Sequence, residues 1–211
     1  MNFYLLINII FVIWLACLFL LNLSFRLTFI KQISVFFSGL QFLIILAVWV
    51  LTGFSTNFFN FELYHPVAWS VSFNFYFSPN IDSLSLLFLL LSFALILVCI
   101  LVSWNNINFR YTDFIVCLIS ISWILLHVFC VKDLLFFYVF FEFLLIPMFV
   151  LIGVWGSRRR KVHAAYQFFF FTLFSSIFML IGILILYSHI YSTDVLILSI
   201  TELSYYRQLV L

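Results

Sequence analysis

Charge is what this sequence has least of. Only 8% of its 211 residues are Asp, Glu, Lys or Arg, against 67% hydrophobic and 23% aromatic. The mean hydropathy is +1.31. A soluble domain needs far more polar surface than this, so that class is excluded. Glycine is scarce too, at five residues, and no glycine-rich phosphate loop is present. The four cysteines, Cys17, Cys99, Cys117 and Cys130, each lie inside an apolar run, without CxxC spacing or a histidine at ligand distance. They read as small buried hydrophobes, not as disulfide or metal residues. There is no metal-ligand cluster, no histidine pair on two spans to hold haem, and no nucleophile beside a base. The expectation is a chain with no redox centre and no cofactor of its own, and with no nucleic-acid partner.

What the sequence does have is long, unbroken apolar runs. They are too long and too uniform for the short alternating strands of an outer-membrane barrel. The fold class is therefore an all-α polytopic membrane protein, one membrane domain over 1–211. Six spans are predicted, at about 3–23, 33–53, 82–103, 113–131, 133–153 and 164–187. Each has about the length that crosses ~30 Å of hydrocarbon. The first run lacks a basic n-region and a small-residue cleavage site, and is read as a retained helix.

The loops after spans 1, 3 and 5 hold Arg26, Lys31, Arg110, Arg158, Arg159, Arg160 and Lys161, whereas the others hold only Lys132 and Arg207. The positive-inside rule puts the first set on the cytoplasmic or matrix side and both termini on the other. The cluster Arg158–Lys161 ends span 5 and fixes topology. It also suits anionic lipid head groups, an additional role that does not exclude the first; His163 just beyond it shows no specific role. The loop 54–80 alternates polar and aromatic residues around His65-Pro66, and "SVSFNFYF" predicts a short β-hairpin on the outer face. His65 and Trp69 fit an interfacial aromatic belt better than a functional role. Asp82 is placed as the N-cap of span 3, its carboxylate accepting free backbone N–H groups.

One acid sits where charge is most costly. "LLFFYVFFEFLLIPMFVL" carries Glu142, nine residues after Asp133 and so about 14 Å along the helix, near the midplane. Facing lipid while ionised, it would cost several kcal/mol, so it must face protein or water, be protonated, or have a cationic partner. Pro147, five residues on, leaves the carbonyl of Phe143 without its helical N–H and exposes polar backbone nearby. Glu142 is the leading candidate for proton transfer, ahead of a protonated packing residue. On span 4, Cys117, Ser120, Ile124, His127 and Val131 share a face. His127 is a candidate relay, with a neutral, singly hydrogen-bonded histidine the slightly favoured alternative. On span 6, Thr172, Ser175, Ser176 and Gly182 form a small-residue stripe suited to helix packing, and Gln167 could join a water chain or bond backbone.

The stretch "DLLFFYVFFEFLLIPMFVLIGVWGSRRRKVHAAYQFFFFTLFSSIFMLIGILI" resembles the chain-4 family of NADH:ubiquinone oxidoreductase, a proton-pumping subunit of mitochondrial complex I. The pattern FxxFExxLIPMxxxIGxWGSRxRK followed by AAYQFF fits that family better than its paralogues, chains 2 and 5. The likeness extends back through "NFYFSPNIDSLSLLF" and forward to "STDVLILSITELSYYRQ". It departs at Asn80–Ser85, where relatives read GxDGxS, and at Ser175, where a glycine is common. The resemblance implies an antiporter-like fold of fourteen helices, of which these six would be the first part. It also implies that Glu142 is the acid of the fifth helix, paired with a lysine on the seventh. No midplane cation lies in this sequence, and Lys132 is at the membrane edge of Glu142's own helix. The expectation is therefore the N-terminal half of chain 4, completed by a C-terminal half as a separate chain, although a truncated or fragment form stays open. It would act with other membrane-arm subunits in the mitochondrial inner membrane, both termini on the intermembrane-space side, as a subunit of an NADH:ubiquinone reductase that translocates protons. Two other readings stand beside it: a stand-alone six-helix channel or transporter, and a structural membrane-arm subunit without pumping.

Overall fold

The computed structural model describes residues 27–51, 67–70, 75–77, 82–107 and 109–200, with residues 10, 12 and 14–16 before them. Five long helices follow one another: α1 (Leu27–Leu51), α2 (Ser83–Asn106), α3 (Tyr111–Cys130), α4 (Leu134–Trp155) and α5 (Lys161–Ile190). A short α6 (Val195–Ile200) comes last. All five long helices are long and apolar enough to cross a membrane. The first expected span, about 3–23, lies largely outside the described residues; those of it that are described, residues 10, 12 and 14–16, are helical.

The helices overrun the apolar windows that mark them. α1 begins at Leu27 where hydropathy places about Ile33, and α5 runs for 30 residues from Lys161 to Ile190. Hydropathy marks the hydrocarbon crossing, whereas backbone hydrogen bonding carries the helix on into the interface. Cations sustain two of these ends. Lys31 donates from Nζ to the carbonyl of Trp104 near the end of α2, and Lys161 donates to the carbonyl of Val154 near the end of α4. Both place positive charge where the helix leaves carbonyls unsatisfied. At the start of α2, Asp82 is the N-cap residue with extended backbone. It forms a capping box with Ser85: its side chain accepts the Ser85 backbone N–H, and its own backbone N–H donates to the Ser85 hydroxyl at 2.7 Å.

Within the loop 54–80, β1 (Val67–Ser70) and β2 (Phe75–Phe77) pair antiparallel, with a register irregularity between Ala68 and Ser70. His65 lies outside the described residues.

α3 is the centre of the bundle. Its Leu126 and Cys130 join Ile10, Ile45, Leu86, Leu89 and Phe93 in one buried cluster. Its Tyr111, Ile115, Leu118, Ile119 and Ile121 join Ile30, Ile96 and Ile100 in a second. Among the buried polar side chains here are serine hydroxyls and one amide. Ser34 and Ser38 of α1 bond carbonyls of their own helix, and the Ser122 hydroxyl lies 3.5 Å from Oε1 of Gln41 across α1 and α3. The outer faces stay apolar and exposed, for example Phe36, Leu43, Leu95 and Phe171, as a lipid-facing surface requires.

Two sets of contacts fix which loops share an end. Lys31 lies 5.2 Å from the Tyr111 ring, and Trp155 donates from Nε1 to the carbonyl of Phe109 at 3.0 Å. The start of α1, the α2–α3 turn and the α4–α5 turn are therefore at one end of the bundle, with Lys31, Arg110 and Arg158–Lys161. At the opposite end the α3–α4 turn is tied to the segment after α5. Leu134 N donates to Thr193 O at 3.1 Å, and Val195 N donates to Lys132 O at 3.2 Å.

Candidate functional site

α4 carries two different faces. Phe140, Leu144, Met148, Leu151 and Trp155 lie against α3: Phe140 packs on Trp123 and His127, Trp155 packs on Phe114, and the other three join the α3-centred cluster. On the other side, Phe149 packs on Tyr166 and Phe169 of α5, with ring centroids 5.4 and 5.6 Å apart. Gly153 brings α4 near Ala165, where an added Cβ would stand 3.7 Å from that residue's methyl. Glu142 is seven residues before Phe149, which is nearly two full helical turns, so it shares the α5 face. It is two residues from Phe140, about 200° away around the helix, and so points away from α3.

Glu142 is half-buried. Its Oε1 is sealed from solvent and meets no hydrogen-bond partner among the described residues. One turn earlier, the Tyr138 side chain lies near both Glu142 and Ser176. Ser176 is buried on α5, where its hydroxyl donates to Leu173 O at 2.8 Å. The acid thus sits at the α4–α5 seam, with Oε1 buried and without a hydrogen-bond partner among the described residues. Pro147 lies inside α4 and is buried; the helix runs through it.

His127 is in a different place. It is buried, its Nδ1 lies 3.0 Å from the Trp123 carbonyl, and its ring stacks within 4.8 Å of Phe140. It therefore faces the α3 side of α4, with the Phe140 ring between it and the helix that carries Glu142. The structure does not bring the two candidate residues together. Ser120, on the same α3 stripe, bonds Cys117 O at 2.8 Å. Of the α5 stripe, Ser176 alone turns into the seam; Ser175 is exposed, Gly182 has nothing within 4 Å of a would-be Cβ, and Thr172 bonds its own helix. Gln167 is exposed.

Two residues at or near the α4 seam were not singled out from the sequence. Tyr138 was legible as the i−4 neighbour of Glu142, the spacing at which helical side chains meet. Asp133 was legible only as a helix start. It is 3% exposed, its Oδ1 accepts Leu135 N at 2.8 Å, and its Oδ2 accepts the Thr193 hydroxyl at 2.9 Å. Burial pushes its carboxyl above the usual range, with nearby Asp194 adding to this, while the bonds from Thr193, Leu135 and Phe136 act in the opposite direction. No sequence pattern announces a partner 60 residues away. Among the described residues, no group of His, Cys, Asp and Glu could hold a metal ion.

A bundle of helices long and apolar enough to cross a membrane, with one half-buried acid at a helix seam, is the build of a polytopic membrane protein. Residues 131–210 match the family described as NADH:quinone oxidoreductase/Mrp antiporter, TM. The chain belongs to the family of NADH-ubiquinone oxidoreductase chain 4. It is 49% identical to that protein of Acanthamoeba castellanii, over 95% of this chain and 42% of the relative. It is 42% identical to the Arabidopsis thaliana protein, over 88% of this chain and 37% of the relative. The chain thus spans about two fifths of the length of the curated relatives it matches. Among solved structures, a chain of respiratory complex I from Thermus thermophilus with bound NADH superposes with a TM-score of 0.71 at 25% identity, over 94% of this chain and 40% of that one. A chain of an archaeal membrane-bound sulfane sulfur reductase superposes with a TM-score of 0.74 at 16% identity, over 90% of this chain and 38% of that one, and shares the fold.

Proposed function

We propose that this chain forms the N-terminal part of a proton-translocating membrane-arm subunit of NADH:ubiquinone oxidoreductase, and that Glu142 is the group that exchanges the proton. The observation that carries the reading is the state of that acid: half-buried at the α4–α5 seam, with Oε1 sealed from solvent and lacking a donor among the described residues. A buried carboxylate oxygen without a partner is costly, and in a membrane such an acid commonly marks a proton or ion route. The donor would be a cation near the midplane, carried by the remainder of a chain-4-like subunit, whether joined to this chain or supplied as a second polypeptide. His127, on the far side of α4, would serve as a relay only through water or side chains beyond those that touch it here.

The setting follows from the same reading. The chain would sit in the mitochondrial inner membrane beside other membrane-arm subunits of the complex. The end with Lys31, Arg110 and Arg158–Lys161 would face the matrix, and that last cluster would bind anionic lipid head groups. Redox chemistry would take place elsewhere in the assembly and reach Glu142 as a change of conformation or field.

Glu142→Gln tests the proposal. Gln keeps the size and much of the hydrogen bonding but removes the charge and the exchangeable proton. The expected result is normal assembly with protons pumped per electron sharply reduced, read in reconstituted vesicles by a pH-sensitive dye against NADH oxidation. Normal assembly with unchanged pumping overturns it. Glu142→Ala is a poorer probe, because it would strand a partner cation at about 3–5 kcal/mol and impair assembly by itself.

A further inference from the structure

The two ends of the α4–α5 pair are joined in different ways. At the basic end the joint is a close turn at Gly156, with Lys161 on the Val154 carbonyl. At the other end the chain leaving α5 pairs with the chain entering α4. The pairing is an antiparallel bridge between Asp133 and Asp194: Leu134 N donates to Thr193 O at 3.1 Å, and Val195 N donates to Lys132 O at 3.2 Å. Beside that bridge the Thr193 hydroxyl donates to Oδ2 of Asp133 at 2.9 Å, while Oδ1 accepts Leu135 N at 2.8 Å.

Two features here exceed what a helix start requires. An N-cap needs only one carboxylate oxygen on a backbone N–H and works while exposed. Asp133 is instead 3% exposed and Thr193 2%. Burying a carboxylate is costly unless hydrogen bonds replace its water, so the burial of Asp133 depends on Thr193. The turn into the bridge is the second feature. Tyr191 makes it at φ 56°, in the left-handed region where glycine is usual at a helix end. A residue with a side chain persists there only where its surroundings fix it. The Ser192 hydroxyl then accepts Asp194 N at 3.3 Å, and α6 begins at Val195, directly on the bridge.

We propose that residues 191–195 are a rigid joint, in which the buried Asp133–Thr193 pair makes a movement of α6 a movement of the first turn of α4. Glu142 is eight residues beyond Leu134 on the same helix, about 12 Å. The joint therefore passes a displacement of α6 to the helix that carries the acid. With α5 joined to α4 at both ends, the pair shifts as one body. Asp133 and Thr193 are positioning residues that act through α4. This inference rests on the proton-exchange reading of Glu142 for its consequence in pumping, and on the bridge for its existence.

The test is Thr193→Val in the assembled complex, with Thr193→Ser as the conservative control. Val keeps the shape and removes the donor; Ser keeps the hydroxyl. Hydrogen exchange of segments 132–137 and 191–198 should be about tenfold faster in Thr193→Val, the factor expected from one lost bond to a buried carboxylate. Protons pumped per electron should fall while NADH oxidation continues. Thr193→Ser should restore both readings. Val195→Pro removes the second bridge bond at the first position of α6, where proline suits a helix. It should act in the same direction, and it carries the test if Thr193→Val lowers assembly.

Unchanged exchange in both loosened variants overturns the joint. So does faster exchange with unchanged pumping per electron, because the pair would then be a structural tie alone. A pumping loss as large in Thr193→Ser as in Thr193→Val also overturns it, since the hydroxyl would not be the cause. Glu142→Gln decides the other reading separately. Normal pumping there, beside a loss in Thr193→Val, keeps the joint and rejects Glu142 as the exchanging group. A loss there, beside normal pumping in Thr193→Val, does the reverse.

Discussion

At the scale of single residues, two carboxylates on α4 live under different constraints. Asp133 caps the helix and holds Thr193, so both of its oxygens are occupied; Oε1 of Glu142 has no partner among the described residues. For Asp133, burial wins over its hydrogen bonds and the carboxyl is raised. A raised acid favours the folded form while protonated. Its contribution is therefore full below the ordinary carboxylate range and is lost as pH rises through the raised value. Asp133→Asn keeps an N-cap acceptor and one bond for Thr193 without a charge to bury. We expect this variant to lose the fall in thermal midpoint that Asp133 contributes as pH rises through its raised value, and to be at least as stable at neutral pH. Asp133→Ala loses the cap and should lower stability by about 1 kcal/mol. Equal pH slopes in wild type and Asp133→Asn, by differential scanning fluorimetry of the purified complex, would remove Asp133 as the titrating group.

At the scale of elements, the α4–α5 turn is closely packed at its glycine. Gly156 ends α4, and a Cβ there would stand 2.5 Å from the Ile152 carbonyl and 2.9 Å from Lys161 Cβ. The first of these is backbone and cannot swing away. Gly156→Ala should therefore cost about 1–3 kcal/mol, by displacing the turn and loosening the Lys161 contact with Val154. Gly182, within α5, has nothing within 4 Å of the same added atom. Gly182→Ala should be neutral or gain up to about 1 kcal/mol of helix preference. Thermal denaturation of the two variants side by side checks both; a larger loss for Gly182→Ala would mean that another helix covers that face.

At the scale of the whole molecule, the charges divide between its ends. The Lys31–Tyr111 and Trp155–Phe109 contacts gather Lys31, Arg110 and Arg158–Lys161 at one end, and Lys132 lies at the other beside Thr193 and Val195. Cysteines placed at Arg159 and at Tyr191, both exposed, should then react with an impermeant maleimide from opposite faces of the inner membrane, Arg159→Cys from the matrix. Labelling of both from one face would refute the orientation. The α4–α5 side also bears on partners. Ile146 follows Glu142 by four residues, lies on the same edge of α4 and is 56% exposed. A photoreactive residue at Ile146 should capture polypeptide in the complex, because the donor for Oε1 must approach along that edge. Capture of lipid alone would place the donor elsewhere.

The sequence by itself determined the class and marked the five crossings that the described residues contain. Transfer of a 67% hydrophobic chain into a bilayer depends on composition and run length, which are local and additive. It also marked Glu142, because one acid in an apolar helix needs no structure to be noticed. Helix ends were less legible: Lys31 and Lys161 extend the elements beyond their apolar windows through carbonyl contacts that a window average does not contain. Only tertiary structure decided the faces. His127 and Glu142 are close in sequence, and each sits in a suitable polar context along its own helix. Yet Phe140 turns toward His127 of α3, and Glu142, about 200° around α4 from it, turns toward α5. A helix offers every side chain a direction at about 100° per residue. Which neighbour waits in that direction is set by packing between segments distant in the chain, as the Asp133–Thr193 bond across 60 residues also is.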